Sequence, residues 1–229
     1  MGTGRIDHLV IVARDLAQGA AWCEATLGVV PGPGGEHPMM GTHNRLLRIA
    51  TVNYPCAYLE IIAINPAAPH PQPERARRWF DMDEPSLQAA VAAHGPRLVH
   101  FVAQVPEVQA AVSALRAQGL DRGEVLPASR MTARGLLQWQ ITVRQDGQRL
   151  FDGALPTLIE WGATHPAPGL PDWGISLHGL AITHPRAAEL QAAFDAIGLQ
   201  GVAVQPGEPN LSATLLTPRG RVTLESKGL

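Results

Sequence analysis

Apolar and polar residues follow a pattern that repeats three times along this chain. Each unit begins with a short apolar run typical of a buried strand and continues into a stretch with the apolar spacing of an amphipathic helix. A glycine directly after a helical stretch is a common helix stop. The three units comprise residues 6–12, 16–27 and Gly28; residues 98–103, 105–118 and Gly119; and residues 177–182, 185–197 and Gly198.

Each unit closes with a further apolar run, and its opening and closing runs both carry a polar residue. The opening run contains a histidine and the closing run a glutamate. The chain between them is long enough for a strand, a helix and three further strands, so the predicted repeat is βαβββ. The pairs are His8 and Glu60, His100 and Glu160, and His178 and Glu225.

The repeats divide the chain into modules. We predict a first module at residues 1–65, a second at 98–165 and a shorter third at 175–229. Residues 66–97 join the first two modules and are rich in proline. We therefore expect a linker or surface loop there, and not a core element. Strands and helices that alternate in this way predict an α+β fold.

The composition is that of an ordinary folded protein, with 45% hydrophobic and 17% charged residues. A formal net charge of −2 argues against a nucleic-acid partner held by general electrostatics. No apolar run approaches the length of about 20 residues that spans a membrane, and the N-terminal residues lack the apolar segment of a secretion signal. Two cysteines, Cys23 and Cys56, cannot form a disulfide framework. We therefore expect a cytoplasmic protein.

The recurring histidines and glutamates are the candidates for chemistry. A glutamate among apolar strand residues must face solvent, pair with a partner, change its protonation state or bind a metal. The repetition favours a metal, because two histidines and two glutamates from two modules form a plausible ligand set. Imidazole and carboxylate ligands suit zinc, nickel, iron or manganese.

Several segments are similar to bacterial glyoxalase-like domain proteins of the vicinal oxygen chelate superfamily. The resemblance covers the chain from Ile6 to Glu225. It is carried by the sequences Ile-Asp-His-Leu-Val-Ile-Val at 6–12, Gly-Thr-His-Asn-Arg-Leu-Leu-Arg at 41–48, Tyr-Leu-Glu-Ile-Ile at 58–62, Arg-Trp-Phe at 78–80 and Leu-Ile-Glu-Trp at 158–161.

The resemblance implies a cupped mixed sheet, the glyoxalase/bleomycin resistance/dioxygenase fold, with a metal bound between two modules. Carried over by position, the metal ligands are His8, Glu60, His100 and Glu160. The third pair departs from a two-module pattern. Either of its members could replace a ligand, but we expect the third module to be a structural extension.

The resemblance also implies a metal-dependent enzyme, a lyase, isomerase or dioxygenase, that acts on a small oxygenated molecule. In the glyoxalase-like case Glu60 or Glu160 is the catalytic base, whereas two histidines and one carboxylate would resemble a non-haem iron site. The alternative is a protein that binds a small molecule without catalysis, like the antibiotic-sequestering members. A homodimer is left open.

Further residues are candidates for contact with the substrate. An arginine suits a carboxylate or phosphate group, and a tryptophan can line a pocket. His37 and His43 are secondary candidates on a loop. The predicted substrate-binding residues are Asn44, Arg45, Arg134, Trp139 and Trp161.

Overall fold

The computed structural model describes residues 3–68, 77–132 and 135–229. Its helices are α1 (Leu16–Leu27), α2 (Pro85–His94), α3 (Val108–Arg116) and α4 (Ala187–Ala196). Its strands are β1 (Arg5–Val12), β2 (Gly32–His37), β3 (Thr42–Arg48), β4 (Tyr58–Ile64), β5 (Arg97–Gln104), β6 (Glu124–Thr132), β7 (Gly135–Val143), β8 (Thr157–Trp161), β9 (Ser176–Thr183), β10 (Val202–Gln205), β11 (Asn210–Thr217) and β12 (Gly220–Glu225). None of the helices in these ranges is long and apolar enough to cross a bilayer.

The first helix shows how local sequence sets the boundaries of an element. The Asp15 side chain accepts a hydrogen bond from the Gln18 backbone N–H at 2.7 Å and so caps the start of α1. Gly28 ends the helix in the left-handed region, at φ 81°. Its N–H donates to the carbonyl oxygens of Cys23 and Glu24.

The first two modules have the same topology. In the first, β1 pairs in parallel with β4, and β3 and β2 follow outward. In the second, β5 pairs in parallel with β8, and β7 and β6 follow. An antiparallel pairing of β1 with β5 joins them into one mixed sheet of eight strands. The predicted α+β fold with repeated βαβββ modules is confirmed.

The third unit has the expected order of elements but different strand pairing. Here β9 pairs in parallel with β10, the strand directly after the helix, and antiparallel with β11. The resulting sheet has the order β10-β9-β11-β12. Because β11 separates β9 from β12, His178 and Glu225 lie on strands that are not neighbours, and both side chains are exposed.

Two apolar layers cover the faces of the eight-stranded sheet. Leu9 and Ile11 belong to the layer that also contains the buried residues of α1, α3 and the third unit. Val10 and Val12 belong to the layer on the concave face. This alternation places successive residues of β1 on opposite faces, as a strand requires. The candidate site lies on the concave face.

The segment predicted to be a linker is partly a core element, which corrects that expectation. Residues 77–97 contain α2, and Leu87 and Val91 on one side of this helix are buried in the concave layer. Phe80 and Met82, just before the helix, are buried in the same layer. The concave face is therefore covered by a segment of the chain that lies outside both modules.

The sheet curls until its two edges meet. Gly35 lies on β2 at one edge, and Arg130 lies on β6 at the other. A methyl group on Gly35 would overlap the Arg130 guanidinium, so the absence of a side chain at this position allows the approach. The two edges together enclose the space above the concave face.

Candidate functional site

A small cavity lies on the concave face between the two modules. Its volume is about 50 Å³, close to the liquid volume of two water molecules. Both modules and the segment before α2 contribute to its walls. The lining residues are His8, His37, Asn44, Leu46, Tyr58, Glu60, Trp79, Phe80, Arg130, Trp139, Ile141, Ile159, Trp161 and Pro166.

Glu60 supplies the carboxylate of this cavity. It lies on β4 and is only 5% exposed. Its Oε1 accepts a hydrogen bond from Asn44 Nδ2 at 2.6 Å, and its Oε2 lies 3.5 Å from His8 Nε2. Burial raises the pKa of Glu60, but His8, His37 and Asn44 outweigh this effect and lower it. Glu60 is therefore an ionised carboxylate in an enclosed space.

His8 lies between two carboxylates. Its Nδ1 donates to Asp7 Oδ1 at 2.6 Å, while Nε2 points toward Glu60. Burial lowers the pKa of His8, but the bonds to Asp7 and Glu60 raise it to about 9. His8 is therefore an imidazolium near neutral pH.

Asp7 is fully buried beneath His8. Its second oxygen, Oδ2, accepts hydrogen bonds from Trp161 Nε1 at 2.8 Å and from His165 Nε2 at 2.9 Å. Burial raises the pKa of this carboxyl group, but the hydrogen bonds to His165 and His8 hold it well below its usual range. Asp7 thus links β1 of the first module to the chain at the end of the second.

His37 completes the polar cluster. Its Nε2 lies 3.9 Å from Glu60 Oε1, and its Nδ1 is bonded to Thr42 Oγ1 at 3.0 Å. Burial lowers its pKa to about 4, with the positive charge of Arg130 acting in the same direction. His37 is therefore a neutral imidazole beside the His8 imidazolium.

Aromatic rings form much of the remaining wall. The Tyr58 ring stacks on the His8 imidazole with centroids 4.5 Å apart. Trp79 stacks on Phe80 at 5.0 Å, and Trp139 lies 5.4 Å from Trp161. These rings keep bulk water away from the charged groups, which strengthens their electrostatic interactions.

The structure brings five of the predicted site residues to this cavity: His8, Asn44, Glu60, Trp139 and Trp161. Of the secondary candidates, His37 reaches it and His43 does not. Arg45 lies between Asn44 and Leu46 on β3, which both line the cavity, so its side chain projects from the other face. Arg134 lies outside the described residues.

His100 is a core residue and not part of the cluster. Its Nδ1 donates to the Gly153 carbonyl oxygen at 2.8 Å. Its Nε2 accepts from the Thr157 backbone N–H at 3.0 Å. Burial and the nearby Arg122 charge lower its pKa well below the usual value. Both ring nitrogens are used within the fold, so the prediction of His100 as a metal ligand is corrected.

Glu160 lies on the opposite face of the sheet, which corrects its predicted role as ligand and base. Its Oε2 accepts a hydrogen bond from the Val108 backbone N–H at 2.7 Å, at the start of α3. The residues of β8 that face the cavity are its neighbours Ile159 and Trp161. Glu160 therefore stabilises a helix end.

Four donors for one divalent ion do not converge in this cavity. Across residues 3–68, 77–132 and 135–229, no three His, Cys, Asp or Glu side chains are placed to share an ion. Of the four predicted ligands only His8 and Glu60 meet. The donor set does not fit the implied metal centre, and the chemistry that the cavity offers is that of its own side chains.

The residues of the site that were not predicted include Asp7, Tyr58 and Arg130. Asp7 and Tyr58 adjoin or flank the predicted residues His8 and Glu60 in the sequence. Their proximity in the chain was a usable signal, because a short strand places flanking residues near the same site. Arg130 is not near any of the predicted cavity residues of the first module in the sequence, and β6 reaches the cavity only through the curl of the sheet.

Comparison with solved structures finds similarity at low sequence identity. A hypothetical protein from Staphylococcus aureus is 14% identical, with a TM-score of 0.55 over 97% of this chain and 85% of that one. A variant of Streptomyces coelicolor methylmalonyl-CoA epimerase in complex with 2-nitronate-propionyl-CoA is 18% identical, with a TM-score of 0.43 over 72% of this chain and 99% of that one. Methylmalonyl-CoA epimerase from Mycobacterium tuberculosis is 15% identical, with a TM-score of 0.37 over 72% and 91%.

No curated protein sequence matches this chain. The model of the glyoxalase-like domain family matches residues 6–198. This match includes both modules of the eight-stranded sheet, the linking segment and the start of the third unit. The chain therefore belongs to the glyoxalase-like domain family, within the vicinal oxygen chelate superfamily.

Proposed function

We propose that this protein is an isomerase or lyase that moves a proton on a carbon next to a carbonyl group of a small molecule. One observation carries the proposal: the Glu60 carboxylate and the His8 imidazolium lie 3.5 Å apart in an enclosed aromatic cavity. A carboxylate base and a charged N–H donor are the two groups that this reaction needs.

The proton transfer follows from these two side chains. Glu60 accepts the proton from the carbon, and the electron pair of that C–H bond moves to form an enolate. The His8 Nε2–H donates a hydrogen bond to the enolate oxygen and stabilises its charge. In an isomerase of a 2-hydroxy carbonyl compound, the hydroxyl proton moves to the enolate oxygen and Glu60 returns its proton to the former carbonyl carbon. In a lyase, a leaving group departs from the β-carbon with the electron pair of its bond.

Asp7 and Asn44 position the two reacting groups. The bond from His8 Nδ1 to Asp7 fixes the ring orientation and directs Nε2 into the cavity. The bond from Asn44 Nδ2 holds Glu60 Oε1, which leaves Oε2 as the oxygen nearer to His8.

Deuterium exchange tests this proposal without knowledge of the full reaction. A panel of small ketones, 2-oxo acids and thioesters is incubated with the protein in D₂O, and loss of the α-proton signal is followed by NMR. We expect exchange on at least one compound, and a rate at least about 100-fold lower for Glu60→Gln. Exchange should persist in the presence of a chelator.

Glu160→Gln is the matched comparison, because the same substitution removes a carboxylate on the other face of the sheet. We expect its exchange rate to stay within about twofold of wild type. An exchange rate that depends on Glu160, or one that a chelator abolishes, would contradict the mechanism. Absence of exchange on the whole panel would contradict it as well.

Binding of a small molecule without catalysis is the second candidate function. The aromatic lining of the cavity favours it, because stacked rings hold flat ligands without any proton transfer. Calorimetry with the same panel separates the two functions. Ligands that bind but undergo no exchange would support the binding protein.

We infer a reducing, cytoplasmic setting for either function. Cys23 and Cys56 are both unpaired in the structure, and Cys23 is buried. Unpaired thiols persist where the surroundings are reducing. The expected partner is the small-molecule ligand itself.

A further inference from the structure

A larger groove adjoins the small cavity. Its volume is about 670 Å³, and its walls are largely apolar. Three residues, Leu46, Arg130 and Pro166, line both spaces. The cavity and the groove are therefore neighbours, with one charged side chain at their junction.

Arg130 is held at this junction by the curl of the sheet. Its guanidinium packs against Gly35 of the opposite edge strand, where the Cβ of any other residue would displace it. The side chain is half-buried. Among the residues that the structure describes, none forms an ion pair or hydrogen bond with the Arg130 guanidinium.

An unpaired guanidinium beside an enclosed cavity is suited to an anionic group. Arginine presents several N–H donors in a planar arrangement that matches carboxylate and phosphate oxygens. By contrast, the half-buried Arg48 on β3 lies 3.9 Å from Asp172, and Arg149 pairs with Asp81 at 2.9 Å. Arg130 is thus available to a ligand, whereas these other arginines serve the fold.

We propose, on the basis of the proton-transfer function above, that Arg130 binds an anionic oxygen group of the substrate. The substrate is then a small carbonyl compound that carries a carboxylate or a phosphate. Its reactive carbon enters the cavity beside Glu60, and its remaining part lies in the groove. The cavity is too small for more than the reactive group, so the anion at the junction sets how far the molecule enters.

Matched pairs of charged and neutral probes test the charge preference. Phenylacetate is compared with phenylacetamide, and phenyl phosphate with phenol, by isothermal titration calorimetry at fixed ionic strength. We expect at least one anion to bind wild type about tenfold or more tightly than its neutral match. The pair that shows the preference identifies the carboxylate or the phosphate as the group recognised.

Two variants localise the preference to Arg130. Arg130→Gln should bring the members of the pair to within about twofold of each other. Gly35→Ala should weaken anion binding several-fold, because its methyl group displaces the guanidinium without changing the net charge. Arg48→Gln removes the same charge away from both spaces and should retain the preference.

Two results would overturn the proposal. One is a wild-type protein with no charge preference, which includes a failure of all four probes to bind. The other is a preference that survives in a folded Arg130→Gln protein, as shown by its circular dichroism spectrum. Binding is measured without turnover, so this result is independent of proton exchange in the Glu60→Gln variant.

Discussion

A single carboxylate, Asp7, organises the charged groups of the candidate site. It is fully buried and accepts hydrogen bonds from His8, Trp161 and His165. An ionised carboxylate in such a place is stable only when its oxygens are satisfied by donors. His8 adjoins Asp7 in the sequence, whereas Trp161 and His165 lie 154 and 158 residues further along, so Asp7 also connects the two modules.

The pair of Asp7 and His8 makes stability depend on pH. The pKa of His8 is about 9 in the folded protein and about 6.5 in an unfolded chain. Its contribution is therefore fully present below pH 6.5 and is lost as the pH rises through 9. We expect the free energy of unfolding to fall by about 3 kcal/mol over this range, measured by urea denaturation at a series of pH values.

The Asp7→Asn variant should lose at least half of this pH dependence, because the charged partner of His8 is removed while Glu60 remains. Asp172→Asn, at an exposed position, should retain it. An alkaline decline that is the same in wild type and Asp7→Asn would show that the pair does not titrate as described.

The strand register explains why two of the four predicted ligands, His8 and Glu60, meet in the structure and the other two do not. The apolar runs and their spacing predict the strands and helices of both modules, and His8 and Glu60 meet because β1 and β4 are adjacent. In the first module His8 lies opposite Tyr58, and in the second Val102 lies opposite Thr157. The similar sequence motifs of the two modules do not reveal that their strand registers differ. A difference of one residue is enough to move a side chain to the other face of the sheet.

The different registers place the two glutamates on different faces. Glu60 lies two residues beyond Tyr58, the partner of His8, whereas Glu160 lies three residues beyond Thr157, the partner of Val102. The residue two positions beyond Thr157 is Ile159, which is buried in the concave layer. Glu160, one residue further along, consequently faces α3.

The capping bond of Glu160 gives a prediction for α3. Glu160→Ala should lower the free energy of unfolding by about 1 kcal/mol, because the Val108 N–H loses its acceptor. Glu107→Ala is the control: this residue precedes the same helix but makes no capping bond with its side chain. Urea denaturation of both variants measures the difference, and equal losses would contradict the assignment.

The helix α2 was missed for a different reason. Pro85 contributed to the interpretation of residues 66–97 as a linker, yet it occupies the first turn of α2. Proline is well tolerated there, since that N–H has no partner within a helix. Leu87 and Val91, four residues apart, were the signal of a buried helical face.

At the scale of the whole molecule, the third unit is part of one continuous core. Phe194 of α4 meets Phe101 of β5 edge-on, with ring centroids 6.2 Å apart. The buried residues of β9, α4 and β11 belong to the same apolar layer as those of α1 and α3. The sequence predicts its elements but not its pairing, because periodicity identifies strands and does not select their neighbours.

This shared core predicts that all three units unfold together. Phe194→Ala should lower the free energy of unfolding by about 3–5 kcal/mol. All five tryptophans lie before residue 174 and therefore outside the third unit, so tryptophan fluorescence reports on the part of the chain that precedes it. We expect the denaturation midpoint by fluorescence to fall together with that by circular dichroism. A fluorescence midpoint that does not move would show that the third unit unfolds independently.

The unequal contributions of the two modules to the cavity have a stereochemical consequence. A cup made of two identical halves would present each group twice, on either side of a two-fold axis. Here the acid and the imidazolium come from the first module, whereas Trp139, Trp161 and Arg130 come from the second. Glu60 is the one carboxylate among the described lining residues, so the proposed proton transfer reaches a planar enolate on one of its two faces and gives one configuration at that carbon.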